Sequence, residues 1–335
     1  MLPECKKMFA AAAVLAFALA APAQVPPPPQ DDQPVETFKV SVDVVNVFFN
    51  VKDGHGALIP GLHKEDFQIL EDGGPQTIKY FSSEANQPLT LGLLIDTSIS
   101  QQRVLPMEKE VGAAFLREVL TPKDLAFVIS FDVNVELLQD YTANARQLRA
   151  GLERTKINAG TTGVMAPGTG GNPVPTAGQR PRGTLLFDAV YLAADEMLSK
   201  EVGRKAVILL TDGADYGSRK DLRQAIEAAQ RADVICYVLL VADRDWYWMH
   251  GASYPGEGDV KKLAAETGGR LFNVGSKSDK LKEAFDQIAN ELRSQYSLGY
   301  TPTNDKRDGA FRKIEIKAQK GYKIQARRGY YARTQ

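Results

Sequence analysis

Between Leu89 and about Arg293 the chain alternates short apolar runs with longer amphipathic stretches, and this alternation restricts the fold more than any other feature. The apolar runs, Leu89–Asp96, Leu125–Phe131, Val133–Gln139, Lys205–Thr211, Val234–Val241 and Arg270–Val274, have strand length. Between them, Val104–Val119, Ala143–Arg154, Leu185–Ser199, Arg219–Ala232, Asp259–Glu266 and Ser278–Arg293 carry apolar residues at helical spacing. Leu91–Ile95 and Ala206–Leu210 are almost without polar interruption, as expected of strands covered by helices on both faces. The pattern predicts an α/β fold: a doubly wound, mostly parallel, six-stranded, Rossmann-like sheet with strand order 3-2-1-4-5-6.

The flanks have a different character. Val40, Val42 and Val44 alternate with polar neighbours, Val45–Val51 continues apolar, and further strands are expected at Asp66–Glu71 and Gln76–Phe81. At the other end Tyr296–Tyr300, Phe311–Ala318 and Tyr322–Arg327 read as three strands. About 50 residues bury only a marginal core. Residues 37–88 and 294–335 are therefore expected to pair as one small sandwich-like β domain with the α/β domain, 89–293, inserted in it; two separate satellites are the alternative.

Ahead of these, Lys6 and Lys7 precede the apolar run Met8–Ala21, and Ala21-Pro22-Ala23 supplies a small-x-small cleavage pattern. Residues 1–23 are expected to be a signal peptide, since the run falls short of the roughly 20 residues needed to span a bilayer. A proline-rich linker, 24–36, follows, and no later segment is long and apolar enough to span. The expected location is secreted or periplasmic, in the cell envelope. Cleavage would leave Cys236 as the sole cysteine, inside an apolar run where a thiol acts as a small hydrophobe. The 41 basic and 41 acidic side chains balance, which argues against nonspecific nucleic-acid binding.

In open α/β sheets, ligands bind beyond the carboxyl ends of the strands where the strand order reverses. Two strands end there on a carboxylate. The first runs into Asp96-Thr97-Ser98-Ile99-Ser100 and the fourth into Thr211-Asp212-Gly213, while Thr184 in Arg182-Gly183-Thr184-Leu185 stands just before a helix. Two carboxylates and three hydroxyls, with no thiolate or imidazole, suit a hard cation such as Mg²⁺ or Mn²⁺ and disfavour zinc. Read alone, Ser98 or Ser100 would serve equally as a helix cap; the concurrence of three loops points to metal.

These residues resemble those of the von Willebrand factor A domain family with its metal-ion-dependent adhesion site. Asp96-Thr97-Ser98-Ile99-Ser100 matches the DxSxS motif, Thr184 the second-loop threonine and Asp212 the third-loop aspartate. Gly61–Phe67, Tyr296–Tyr300 and Arg328–Tyr331 also look like the flanks of secreted bacterial proteins related to that family. The resemblance implies a metal held directly by Ser98, Ser100 and Thr184, with Asp96 and Asp212 binding directly or through water.

Two loops lie on the same expected face. Asn158–Arg182, rich in Gly, Pro and Thr, reads as a binding lip or a disordered segment, and Thr161 or Thr162 could compete with Thr184. Asp243–Asp259 holds both tryptophans, in Trp246-Tyr247-Trp248-Met249-His250, as recognition anchors or as packing against the β domain, with His250 on the surface. GxSxG, HExxH, GxxxxGK[ST] and CxxC motifs are absent. Asp188 and Asp215 are read as first-turn or loop carboxylates. The expected function is non-enzymatic: metal-bridged capture of an Asp or Glu side chain on a protein partner. The alternatives are a metal-dependent phosphoesterase and an envelope scaffold with a vestigial metal site.

Overall fold

Strands from the two ends of the chain pair with each other. The computed structural model describes residues 44–83, 87–157, 183–251, 257–318 and 321–334; the segments read as signal peptide, linker and 158–182 loop, with Thr161 and Thr162, lie outside the described residues. At the N-terminal end are β1 (Val45–Lys52), β2 (Phe67–Glu71), β3 (Gly74–Gln76) and β4 (Ile78–Ser83). The central strands are β5 (Leu89–Asp96), β6 (Leu125–Phe131), β7 (Val135–Thr142), β8 (Arg204–Thr211), β9 (Val234–Leu240) and β10 (Leu271–Asn273). At the C-terminal end come β11 (Tyr296–Tyr300), β12 (Phe311–Ala318), β13 (Lys323–Ala326) and β14 (Gly329–Tyr331). The terminal strands form two antiparallel sheets, β13-β1-β11-β4 and β14-β12-β2-β3.

Their alternating apolar positions meet in one core that includes Val47, Phe49, Ile69, Leu298 and Ile314. Phe49 packs edge-on against Phe67 at 5.1 Å and stacks on Tyr296 at 5.5 Å. Two details depart from the sequence reading. Asp72 and Gly73, at φ 49° and 85°, make a tight β2–β3 hairpin of the kind that needs positive φ at both central residues. Gln76 therefore closes that hairpin, and the chain crosses at Thr77 to β4 in the other sheet, so Gln76–Phe81 is not one strand. A fourth C-terminal strand, β14, pairs with β12.

The central sheet has the order β10-β9-β8-β5-β6-β7, the expected order. All its pairs are parallel except β6–β7, joined through the tight turn at Asp132–Asn134. The helices are α1 (Leu105–Val119), α2 (Ala145–Glu153), α3 (Leu186–Tyr191), α4 (Leu222–Arg231), α5 (Arg244–Met249), α6 (Gly258–Thr267) and α7 (Ser278–Arg293). α1, α2 and α7 cover one face of the sheet, and α3, α4 and α6 the other. Burying each of the fully enclosed Leu, Ile and Val side chains of β5, β8 and β9 is worth about 1.5–3 kcal/mol, and this fixes the central strands. Cys236, in β9, is a buried free thiol whose pKa burial pushes up to about 12. Among the described residues, no helix is long and apolar enough to cross a membrane.

Candidate metal centre

β5 and β8 are neighbours at the reversal point, so their carboxyl ends bring Asp96 and Thr211-Asp212 side by side. Asp96 and Asp212 are both 0% exposed. The Asp96 carboxylate is held at both oxygens: Oδ1 accepts from the Ser98 N–H at 2.9 Å and Oδ2 from the Thr211 hydroxyl at 2.7 Å. Ser98 stands at the start of the helical turn Ile99–Gln101 but makes no side-chain cap. Its hydroxyl lies instead 3.1 Å from that of Ser100, and Ser100 donates to Asp212 Oδ2 at 2.5 Å. Asp96, Ser98, Ser100 and Asp212 therefore form one hydrogen-bonded group. Because Ser100 donates its one proton to Asp212, Ser98 donates to Ser100, and one Ser100 lone pair is left for another partner.

Thr184 reaches the same end of the sheet by another route. Its backbone pairs with Tyr216, N–H to carbonyl in both directions, at 3.1 and 3.0 Å, which ties it to the loop that follows Asp212. Thr184 is buried, and it shares no side-chain hydrogen bond with the other four. Gly183 makes this placement possible. Its φ of 153° is in the region that favours glycine, and a Cβ there would run into the backbone and side chain of Val133.

Tyr247 also belongs to the site, although neither motif nor spacing marks it. The segment Asp243–Asp259, read as a loop, contains α5, capped by the Asp243 carboxylate at the Trp246 N–H (3.3 Å). Asp243 also pairs with Arg103, just beyond the Asp96–Ser100 loop, at 3.1 Å. So held, buried Tyr247 donates its hydroxyl to Asp212 Oδ2 at 2.6 Å. A carboxylate three residues before an aromatic, directly after a buried strand, is the sequence sign of such a capped turn. On the outer side of α5, Trp248 is 83% exposed and Met249 is also exposed. Exposed His250 stacks on Trp246 at 4.4 Å.

Asp188 and Asp215, read as first-turn or loop carboxylates, bond to backbone N–H groups and a hydroxyl. Asp188 accepts from the Arg219 and Lys220 N–H groups at 3.0 and 2.8 Å. Asp215 accepts from the Phe187 N–H at 3.2 Å and the Ser218 hydroxyl at 2.5 Å.

The electrostatics of the group favour a cation. Burial, and then the neighbouring Asp212, raise Asp96 to about 8. Glu108, fully buried on α1, is pushed well above the usual carboxylate range by burial and then by Asp96 and Asp212. None of the three is paired with a Lys or Arg side chain among the described residues. No three His, Cys, Asp or Glu side chains among the described residues converge as a metal cluster. The donor set is instead hydroxyl and carboxylate oxygen, which fits a hard divalent ion that keeps part of its water.

A comparison with curated proteins finds no match. Among solved structures, the chain is similar to the conserved hypothetical protein BatB from Bacteroides thetaiotaomicron: 19% identity, 62% of this chain, all of that one, TM-score 0.45. It is also similar to proximal thread matrix protein 1 of the mussel byssus with a zinc-occupied MIDAS motif: 14% identity, 67% of this chain, 50% of that one, TM-score 0.48. A third is von Willebrand factor type A from Catenulispora acidiphila: 12% identity, 88% of this chain, 74% of that one, TM-score 0.46. The family model for the von Willebrand factor type A domain matches residues 174–298, a span that takes in Thr184 and Asp212. Asp96, Ser98 and Ser100 precede that span and are brought to Asp212 by the β5–β8 pairing. Residues 174–298, which run through β8 to β10 of the doubly wound sheet and its carboxyl-end loops, thus match the von Willebrand factor type A domain.

Proposed function

We propose that this protein is an exported, non-catalytic binding module that holds Mg²⁺ or Mn²⁺ through Ser98, Ser100, Thr184, Asp96 and Asp212 and captures an Asp or Glu side chain of a protein partner. One observation carries the reading: the chain Ser98–Ser100–Asp212, in which Asp212 accepts a hydrogen bond from the Ser100 hydroxyl. Such a carboxylate turns the hydroxyl's proton away and leaves a lone pair free for a cation, as an outer partner does for a ligating side chain. Asp96 is in turn fixed by the Ser98 N–H and the Thr211 hydroxyl, which ties the loop to the end of β8. When bound, the cation supplies an electrophilic position that a partner carboxylate can fill.

The reading of export rests on Lys6-Lys7, the run Met8–Ala21 and Ala21-Pro22-Ala23. Binding is favoured over phosphoester hydrolysis because Asp188 and Asp215, the carboxylates to which hydrolysis would have to turn, are taken up by backbone N–H groups and a serine hydroxyl. Calorimetric titration with Mg²⁺ tests the metal. Wild type should bind one ion, and Ser98→Ala and Asp212→Ala should bind far more weakly. Unchanged binding in both variants would overturn the reading. Phosphoesters turned over by the purified protein and spared on chelation would replace it with the enzymatic one.

A further inference from the structure

The buried face of α1 is made by Leu105, Glu108, Gly112, Phe115, Leu116 and Val119, a helical stripe in which one position is a carboxylate. Glu108 is 0% exposed, and neither of its oxygens has a hydrogen-bond partner among the described residues. Gln101, directly after Ser100, is equally enclosed, and both its amide oxygen and its amide nitrogen lack a partner. Folded proteins rarely leave such groups unsatisfied, and an exception calls for an unseen water, ion or functional role. Glu108 is also within electrostatic reach of Asp96 and Asp212. A stripe that needs only packing would carry an apolar residue at 108, so the carboxylate has another use.

We propose that Glu108 is a further residue of the cation site, an inner carboxylate that acts on the ion through Gln101 and bound water and raises its affinity. This rests on the metal-binding reading of Asp96, Ser98, Ser100, Thr184 and Asp212. Glu108 is a positioning and charge-supplying residue and not a direct ligand, because no three carboxylates among the described residues meet at ligating range. The unpartnered atoms of Gln101 lie next in the chain to Ser100, where ordered water between the ion and α1 would find both a donor and an acceptor. Both side chains are buried and unpartnered among the described residues, as an inward extension of the site requires.

Glu108→Gln keeps the shape and removes the charge, and Glu108→Leu restores an apolar stripe. Each variant of the full chain is titrated with Mg²⁺ by calorimetry and melted in the presence of a chelator, beside wild type and Ser98→Ala. Both Glu108 variants should bind Mg²⁺ about tenfold more weakly, as removal of an outer-shell partner typically does. In chelator neither should melt below wild type, because the loss concerns the ion and not the packing. If wild type binds, Ser98→Ala does not, and both Glu108 variants bind as wild type does, the metal site stands and the role of Glu108 falls. The role falls equally if affinity drops only together with the metal-free melting temperature. If wild type itself takes up no ion, both readings fall.

Discussion

Replacing Tyr247 by phenylalanine removes one hydroxyl and leaves the rest of its surroundings as they are. The ring keeps its edge-on packing against Trp246 at 5.2 Å, and α5 keeps its Asp243 cap. Asp212 keeps the Ser100 hydroxyl at 2.5 Å and the Ala214 N–H at 3.1 Å, but loses the donor at 2.6 Å. A buried hydrogen bond to a carboxylate contributes about 2 kcal/mol. Spread over the unit Val42–Gln335, that loss lowers the melting temperature by about 3 °C, from the usual unfolding entropy per residue. Burial and Asp212 both push the Tyr247 phenol up, so it retains its proton, and the deficit should be as large at pH 9 as at pH 7. Differential scanning calorimetry of wild type and Tyr247→Phe in chelator isolates this contribution from any ion. The same variant should bind Mg²⁺ about tenfold more weakly, because Asp212 loses a group that fixes its orientation. A variant that melts at or above wild type in chelator would show that Asp212 does not depend on Tyr247.

Two other expectations follow from the same geometry. Asp96 is raised from the ordinary 3.8 to about 8 in the folded protein, so the fold retains a proton that the unfolded chain gives up above about pH 4. Metal-free stability should therefore fall as pH rises from about 4 to about 8, while the stabilisation by Mg²⁺ grows over the same window. A melting series in chelator should show this slope in wild type and lose most of it in Asp96→Asn; equal slopes would refute the assignment. Gly183→Ala places a Cβ against Val133 at a φ of 153°, which should cost about 2 kcal/mol or more in urea denaturation. It should also weaken Mg²⁺ binding by displacing Thr184, and an unchanged denaturation midpoint would mean that the loop yields freely.

The central sheet was legible because its strands are buried on both faces, so the apolar runs at Leu91–Ile95, Ala206–Leu210 and Val234–Leu240 stand out without any partner being known. The strand ends followed from those runs, and with them the juxtaposition of Asp96 and Asp212. Tyr247 was not legible, since the destination of its hydroxyl is set by a short helix in a segment whose pattern reads as a loop. The switch at Thr77 from one sheet to the other was hidden for a related reason: the alternation of Gln76–Phe81 is continuous, and only the β2–β3 hairpin breaks it. Glu108 left a trace that periodicity alone could have caught, a charge at the buried position between Leu105 and Gly112.

The pairing of β1 with β11 and β13, and of β2 with β12, sets an order of events for a chain made from its N-terminus. Apart from the local β2–β3 hairpin, the early strands have no edge to dock against until residues beyond Tyr296 have been synthesised. The central sheet can close meanwhile, because its pairings lie within residues 89–273. Val47, Phe49 and Ile69 must wait as exposed apolar surface, a slow, long-range step during which an unpaired edge is open to self-association. Removing the last 25 residues would make that waiting state permanent for β1 on its β13 side and for β2 on its β12 side, so such a C-terminal truncation should aggregate although it leaves every residue of the candidate metal centre in place.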